Sequence, residues 1–323
     1  MRIEQGARII VESWLHAQPE DVLHFITDET KLREAQAFTY AAKQIGAIPK
    51  LTILPSDSVQ VGDSIEQMRN IMSYATAIVG ATNYSFITTN AVDYALRHGA
   101  RFLSLPLSTN DGSSLLEQDF LKMDPVAAAR MGRPMLRCLR NSDTVHITTK
   151  LGTDITFDIR GRKPGIFNGV TARAGICASA SFEVYIPPVE TATHGRVILD
   201  GSMGYIGLVK QRLELGFENG YLTYIEPTDD GKKLKDYLEQ FGDPEMYCAA
   251  ELGIGLNKLS HCRGASYIED ESAYGTFHIG FGRNLALGGD HSAAGHFDIV
   301  VHDPTIITGE SVLMKDGETC AWF

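Results

Sequence analysis

Hydrophobic and polar positions follow two different patterns along the chain. In the first 130 residues, short apolar runs alternate with stretches whose apolar residues recur every three or four positions. Residues 21–27 (DVLHFIT) have the composition of a buried strand, and residues 48–54 (IPKLTIL) form a second predicted strand. Asp28 can cap a helix between them. The alternation continues with a helix at 64–75, a strand at 76–81, a helix that ends at Gly99 and a strand at 100–107. Strands and helices in repeated order predict a parallel sheet covered by helices, a Rossmann-like α/β arrangement.

The pattern changes near residue 135. A helical connector at 113–143 is interrupted by Pro134, and strand-like segments dominate after it. In residues 213–218, Leu and Phe alternate with Glu and Gly, which indicates a strand with one buried face, and residues 218–222 (ENGYL) are typical of a hairpin turn. We therefore predict an α/β protein of two domains. A Rossmann-like domain with a parallel sheet spans residues 1–135, and a sheet-rich α+β domain that binds metal spans residues 136–323.

Composition and charge exclude several classes of protein. The 323 residues are 44% hydrophobic and 21% charged, as in ordinary globular proteins. The formal net charge of -11 argues against a nucleic-acid partner, which needs a concentrated basic surface. The N-terminal residues never form the apolar core of a secretory signal, and no run approaches the ~20 apolar residues of a membrane span. We therefore expect a cytoplasmic protein with no membrane partner.

The sequence lacks two motifs, and their absence disfavours two kinds of binding site. The five cysteines are scattered and form no CxxC pair, which disfavours a thiolate zinc site or a redox couple. No strand-to-helix turn in the first domain spells GxGxxG, which disfavours dinucleotide binding.

The segment GGDHSAAGHFDIVVHD, residues 288–303, carries the first candidate site. Side chains alternate faces along a strand, so His296 and Asp298 point the same way, while Phe297 and Ile299 face the other side. A metal ion is the most economical reason to hold an imidazole and a carboxylate together there. An ordinary His–Asp hydrogen bond within a sheet is the alternative.

Three more potential ligands lie in apolar or glycine-rich surroundings: Glu183, Glu251 and His278. A buried carboxylate is costly without a partner, so something should compensate the two glutamates. Together with His296 and Asp298 they form a ligand set suited to Zn, Co or Mn, including a pair of ions ~3.5 to 4 Å apart. The alternatives are that both glutamates face solvent and that His278 is a core histidine with a satisfied hydrogen bond.

The C-terminal half resembles the metallo-aminopeptidases represented by aminopeptidases T and S. The resemblance covers roughly residues 150–300, through LGTDITFDI, FEVYIPPVE, AAELGIGLN, EDESAYGTFHIGFG and GGDHSAAGHFDIV. It implies that Glu183, Glu251, His278, His296 and Asp298 are the ligands of two divalent cations. It also places an acidic residue upstream of the first histidine, here Glu271, where the family has a base or an extra ligand.

This resemblance implies a hydrolase. A metal-activated water would cleave an amide next to a free amine in a small peptide or amide, with Glu271 or Glu183 relaying the proton. A homodimer is a further expectation from the family. The chain departs from the family at Leu285, where a tyrosine is usual, and at Asp290, where a lysine is usual.

A second resemblance is to 2,5-dihydroxypyridine 5,6-dioxygenase, in chain length and in PEMYCAAELGIGL and HFDI. That family holds one Fe(II) through two histidines and an aspartate; it has a histidine in the place of Glu251 and apolar residues in the places of Glu183 and His278. The alternative function is thus an Fe(II)-dependent dioxygenase that opens the ring of a hydroxylated N-heterocycle. A triad of His278, His296 and Asp298 could serve it. A non-catalytic relative that keeps the ligands is a third possibility.

Overall fold

A computed structural model describes residues 1–55, 62–87 and 89–320. The helices are α1 (Ile3–Ile9), α2 (Leu32–Gln44), α3 (Gly62–Gln67), α4 (Arg69–Met72), α5 (Asn90–Arg97), α6 (Pro125–Arg140), α7 (Asp229–Glu239) and α8 (Tyr267–Ser272). The strands are β1 (Val22–Asp28), β2 (Ile48–Leu54), β3 (Ala77–Ala81), β4 (Arg101–Ser104), β5 (Thr144–Thr148), β6 (Asp154–Asp158), β7 (Gly165–Asn168), β8 (Cys177–Ser179), β9 (Phe182–Ile186), β10 (His194–Leu199), β11 (Leu213–Glu218), β12 (Tyr221–Ile225), β13 (Ala249–Gly255), β14 (Thr276–Gly282), β15 (His296–His302), β16 (Thr305–Thr308), β17 (Ser311–Lys315) and β18 (Glu318–Thr319).

The chain divides into two compact units. Unit 1 comprises residues 1–125 and 167–181, and unit 2 comprises residues 126–166 and 182–323. This division differs from the predicted boundary at residue 135 in two ways: helix α6 lies almost wholly in unit 2, and residues 167–181 return to unit 1. A chain that leaves a domain and comes back to it produces no change of pattern in the sequence, so the return was not predicted.

Unit 1 is built on a parallel sheet in the strand order β2-β1-β3-β4-β8. Strands β3 and β4 are buried throughout, which explains their unbroken apolar runs. Helix α2 packs on the sheet through Phe38, whose ring stacks on that of Phe25 at a centroid distance of 5.1 Å. The Asp28 side chain accepts a hydrogen bond from the backbone N–H of Thr30, as expected of a helix cap.

Unit 2 contains two antiparallel sheets. The larger one has the strand order β12-β11-β10-β6-β5-β16-β17-β18. The smaller one has the order β15-β14-β13-β9-β7, and its central strands β13 and β14 are buried along their whole length. The predicted mixed α/β class, with a parallel sheet followed by sheet-rich structure, is confirmed.

Helix α6 runs without a break from Pro125 to Arg140 although it contains Pro134. A proline removes one intrahelical N–H, but packing of the opposite face can outweigh this loss. That packing is close: a Cβ added at Gly132 would lie 2.6 Å from the Ile166 side chain and 2.9 Å from that of Val184.

Within the described part of the chain, no helix combines the length and the apolar character needed to cross a membrane.

Candidate metal centre

One face of the smaller sheet in unit 2 collects all five predicted ligands. Glu183 lies on β9, Glu251 on β13, His278 on β14, and His296 and Asp298 on β15. The residues that alternate with them point to the opposite face and are buried and apolar: Val184, Leu252, Ile279 and Phe297. One predicted ligand on each of β9, β13 and β14 and two on β15 therefore share one face of the sheet.

Glycines on the neighbouring strands leave room for these side chains. Gly280 is the cross-strand partner of both Glu251 and Asp298, and Gly253 is the partner of His278. A Cβ at Gly253 would lie 1.9 Å from His278 Nε2, and one at Gly280 would lie 2.6 Å from His296 Cε1. A side chain at either position would collide with an imidazole, so the close approach of His278 and His296 requires glycine there.

The five side chains form two groups of three that share Glu251. The first group is Glu251, His296 and Asp298, and the second is Glu183, Glu251 and His278; within each group the donor atoms lie within 4.8 Å of one another. In the first, His296 Nε2 is 3.1 Å from Glu251 Oε2 and 3.2 Å from Asp298 Oδ1. In the second, His278 Nε2 is 2.8 Å from Glu183 Oε2 and 4.0 Å from Glu251 Oε1.

Burial and the neighbouring charges change the pKa values of the ionisable groups in this site. Burial and the neighbouring Glu183 carboxylate raise the pKa of Glu251 above its usual value. Burial lowers the pKa of His278, but the Glu183 carboxylate outweighs this and brings it to about 9. The pKa of His296 is likewise raised well above its usual value, because Asp298 and Glu251 outweigh burial. Three carboxylates without a metal thus retain protons on both imidazoles, and a divalent cation could replace those protons.

The donor set fits Fe(II) as well as other divalent ions, since imidazole nitrogen and carboxylate oxygen are ligands that non-haem iron accepts. His296 is already oriented for such a role. Its Nδ1 lies 2.8 Å from the backbone oxygen of Arg283, so an N–H at Nδ1 donates there and Nε2 faces the carboxylates. The side chain of His296 is 30% exposed, whereas those of Glu183, Glu251 and His278 are 1 to 6% exposed.

Glu271 lies beside the first group rather than in it. It is buried in α8, and its carboxyl group is hydrogen-bonded to Asp298. Burial and the adjacent Asp298 raise its pKa well above the usual value, which makes Glu271 a neutral acid that donates to Asp298. Its predicted role as a base stays a prediction.

The triad considered for the dioxygenase alternative is not assembled as a single group. Among the described residues, His278 and His296 fall into different groups, and each group contains one imidazole and two carboxylates. The register explains this, because Gly280 separates His278 from Asp298 across the sheet.

Comparison with known proteins identifies the family. A sequence model of the family described as NicX, 2,5-dihydroxypyridine 5,6-dioxygenase, matches residues 13–321. The chain belongs to the NicX family. A curated relative is the 2,5-dihydroxypyridine 5,6-dioxygenase of Pseudomonas putida KT2440, 25% identical over 196 residues, which are 57% of this chain and 56% of that protein. The match therefore spans little more than half the length of the relative.

Two solved structures share the fold of this NicX family member over almost the whole chain. The 2,5-dihydroxypyridine dioxygenase from Pseudomonas putida KT2440 has a TM-score of 0.82 at 19% identity, covering 99% of this chain and 98% of that one. AmpT from Thermus thermophilus has a TM-score of 0.68 at 13% identity, covering 99% of both chains. At these identities the likeness concerns the fold alone.

Membership of the NicX family overturns the main functional prediction. The interpretation as a metallo-aminopeptidase, a hydrolase acting on a small peptide or amide, is wrong, and the dioxygenase alternative fits the family instead. The error has a physical reason. Imidazole and carboxylate donors at this spacing indicate a divalent-metal site, but hydrolytic and oxygen-dependent enzymes both use such donors. The donors therefore do not identify the reaction.

Several residues around the site were not predicted. The side chains of Tyr267 and Tyr205 are hydrogen-bonded to each other, and their ring centroids are 4.4 Å apart. Both tyrosines lie near Asp298 and Glu271. Arg283 orients His296 through its backbone oxygen. The sequence offers no signal for them. Tyr267 is one of 12 tyrosines, and a backbone oxygen is the same in every residue type.

Proposed function

We propose that the protein is an Fe(II)-dependent dioxygenase that uses O2 to open the ring of a hydroxylated N-heterocycle. The observation that carries the reaction class is the family match over residues 13–321. The cluster of five buried or half-buried donor side chains supports the metal requirement. The substrate class follows from the relatives, which are named for 2,5-dihydroxypyridine.

Glu251, His296 and Asp298 would hold the iron. This group is preferred because the His296 side chain is 30% exposed and provides an approach for O2 and substrate, whereas the second group is enclosed. Glu183, predicted as a ligand and as a catalytic residue, is assigned here to the ligand set because it lies 2.8 Å from His278 Nε2. With Glu251 it offers a place for a second cation, and the ratio of bound metal to protein decides between one ion and two.

Bound Fe(II) would supply the one-electron chemistry that reaction between O2 and an aromatic ring requires. The residues of the chain then bind, orient and exchange protons. Glu271 holds a proton at its carboxyl group against Asp298, and we propose that it exchanges this proton with the substrate. Burial and the adjacent Asp298 carboxylate raise the pKa of that carboxyl group and so favour its protonated form.

Oxygen consumption by the reconstituted protein tests this function. Metal-free protein loaded anaerobically with Fe(II) should consume O2 on addition of 2,5-dihydroxypyridine, and the ring absorbance should disappear at the same rate. Glu251→Ala removes the ligand common to both groups and should reduce turnover at least about 100-fold, beyond the usual effect of residues outside the ligand shell. Glu218→Ala, which removes an exposed carboxylate at the end of β11, is the matched control and should keep full activity.

The proposal fails if loaded wild-type protein consumes no O2 with 2,5-dihydroxypyridine or with a panel of other hydroxylated pyridines. It fails equally if turnover is independent of added iron. The oligomeric state is a separate question, and the homodimer stays a prediction.

A further inference from the structure

The loop at 284–295 leads directly into the ligand His296, and bonds at its base fasten it to the strand before it. Arg283 N–H donates to the oxygen of Gly295 at 2.8 Å, and Asn284 N–H donates to that of His291 at 3.2 Å. The Arg283 guanidinium also donates to the oxygen of Ala293 at 2.7 Å. The position of His296 therefore depends on the conformation of this loop.

Glu190 is the centre of a second set of bonds to the same loop. Its Oε1 accepts hydrogen bonds from the Asn284 side-chain amide and from the backbone N–H of Asp290, both at 2.9 Å. Its other oxygen pairs with Arg162, which also bonds Asp290 at 2.9 Å. Burial would raise the pKa of Glu190, but these donors hold it below the usual value, so the carboxylate stays charged at neutral pH.

Asn284 connects this cluster to the other ligand strand. Its Nδ2 donates both to Glu190 and to the backbone oxygen of Ala250 at 3.1 Å, and its Oδ1 accepts from His291 N–H at 2.8 Å. Asn284 is fully buried, and Ala250 immediately precedes Glu251. One side-chain amide thus links the strand that carries Glu251 to the loop that positions His296.

We propose that Glu190, acting through Asn284 and the Asp290 backbone, is a positioning residue that sets the geometry of the metal centre. Glu251 Oε2 and His296 Nε2 lie 3.1 Å apart although β14 separates the strands that carry them. Asn284 is bonded both to the residue before Glu251 and to the loop before His296. Glu190 itself touches no ligand side chain in the described contacts. The inference rests on the metal site of the proposed function but assigns residues outside it.

Cobalt binding tests the inference without any need for turnover. Metal-free wild-type protein is titrated with Co(II), and the affinity and the visible ligand-field spectrum are recorded. Glu190→Ala should weaken binding about 10- to 100-fold and shift the spectrum, because the loop and β13 lose their common anchor. Glu190→Gln keeps an oxygen for Asn284 and Asp290 N–H, so it should restore the spectrum and most of the affinity.

Arg160→Ala is the matched control, since it removes an arginine–carboxylate pair, with Asp158, two residues from Arg162. It should leave affinity and spectrum unchanged. If Glu190→Ala does not fold, Asn284→Asp is the second variant. It removes both bonds that the Asn284 side chain donates, to Glu190 and to the Ala250 oxygen, and keeps the oxygen that accepts from His291 N–H. It should weaken Co(II) binding at least about 10-fold.

A folded Glu190→Ala protein, or failing that a folded Asn284→Asp protein, with wild-type affinity and spectrum overturns the inference alone. A loss in Glu190→Gln as large as that in Glu190→Ala overturns it as well, because the bonds to Asn284 and Asp290 would then be irrelevant. Wild-type protein that binds no Co(II) overturns both the inference and the proposed metal centre.

Discussion

At the scale of single residues, the site is governed by the cost of burying like charges. Glu183, Glu251 and Asp298 are each at most 6% exposed, and protonation of the two imidazoles offsets their charge without a metal. The sequence predicted that these carboxylates need a compensating partner, because Glu183 and Glu251 lie among apolar residues. It did not predict the glycines opposite them, because a strand glycine has several possible causes.

Gly253→Ala should displace His278 in the second group, and Gly280→Ala should displace His296 in the first group. The new Cβ would lie 1.9 Å from His278 Nε2 in the first case, and 2.6 Å from His296 Cε1 in the second. Each should weaken metal binding by about 10-fold or more, because a ligand imidazole must move. Metal titration measures this, with Gly216→Ala on β11 as the control, where the nearest atom belongs to Tyr224 at 3.1 Å. Unchanged binding in both ligand-face variants would refute the assignment.

The stability of the metal-free protein should fall as the pH rises from about 6.5 through 9. The folded state holds a proton on His278 with a pKa of about 9, against 6.5 for an ordinary histidine, so the folded form binds more protons in this window. The stabilisation is complete below pH 6.5 and lost above 9. Urea unfolding at several pH values measures it, and His278→Gln should flatten the slope. Stability that increases over this window would contradict the pKa.

At the scale of elements, the short apolar runs predicted the first two strands closely. Strand β2 occupies 48–54, as predicted, and β1 differs from its prediction by one residue. The misses depend on tertiary packing: α6 continues through Pro134, and β8 joins the parallel sheet from residues distant in sequence. Such pairing is fixed by contacts that one short segment does not encode.

Arg101 should be a large contributor to the stability of unit 1. Its buried guanidinium pairs with Asp21 at 3.1 Å and donates to the backbone oxygens of Leu15 and Thr171, so it ties the returning segment to the sheet. Arg101→Met should cost about 3–5 kcal/mol in the free energy of unfolding, since the carboxylate and the oxygens lose their donor. Urea denaturation measures this. Asp21→Asn, which keeps an accepting oxygen, should cost less, and a loss below about 1 kcal/mol in Arg101→Met would disprove the role.

At the scale of the whole molecule, the sequence predicted the mixed α/β class but assigned the wrong reaction, and the role of the five side chains as metal ligands stays a prediction. The five donors are brought together in two groups that share Glu251, and this arrangement does not distinguish hydrolysis from oxygen chemistry. The family match over residues 13–321 is what favours the oxygen chemistry that we propose. The carboxylate-rich groups differ from the two-histidine, one-carboxylate site expected from the resemblance, so the identity and number of bound ions are the central questions.

Anomalous X-ray scattering at the iron edge tests the central claim most directly. Crystals of the metal-free protein would be soaked with Fe(II) under anaerobic conditions, and difference maps recorded on both sides of the edge. We expect an iron peak within coordination distance of Glu251, His296 and Asp298, with any second peak between Glu183 and His278. Iron absent from both groups, or bound only elsewhere on the molecule, would contradict it.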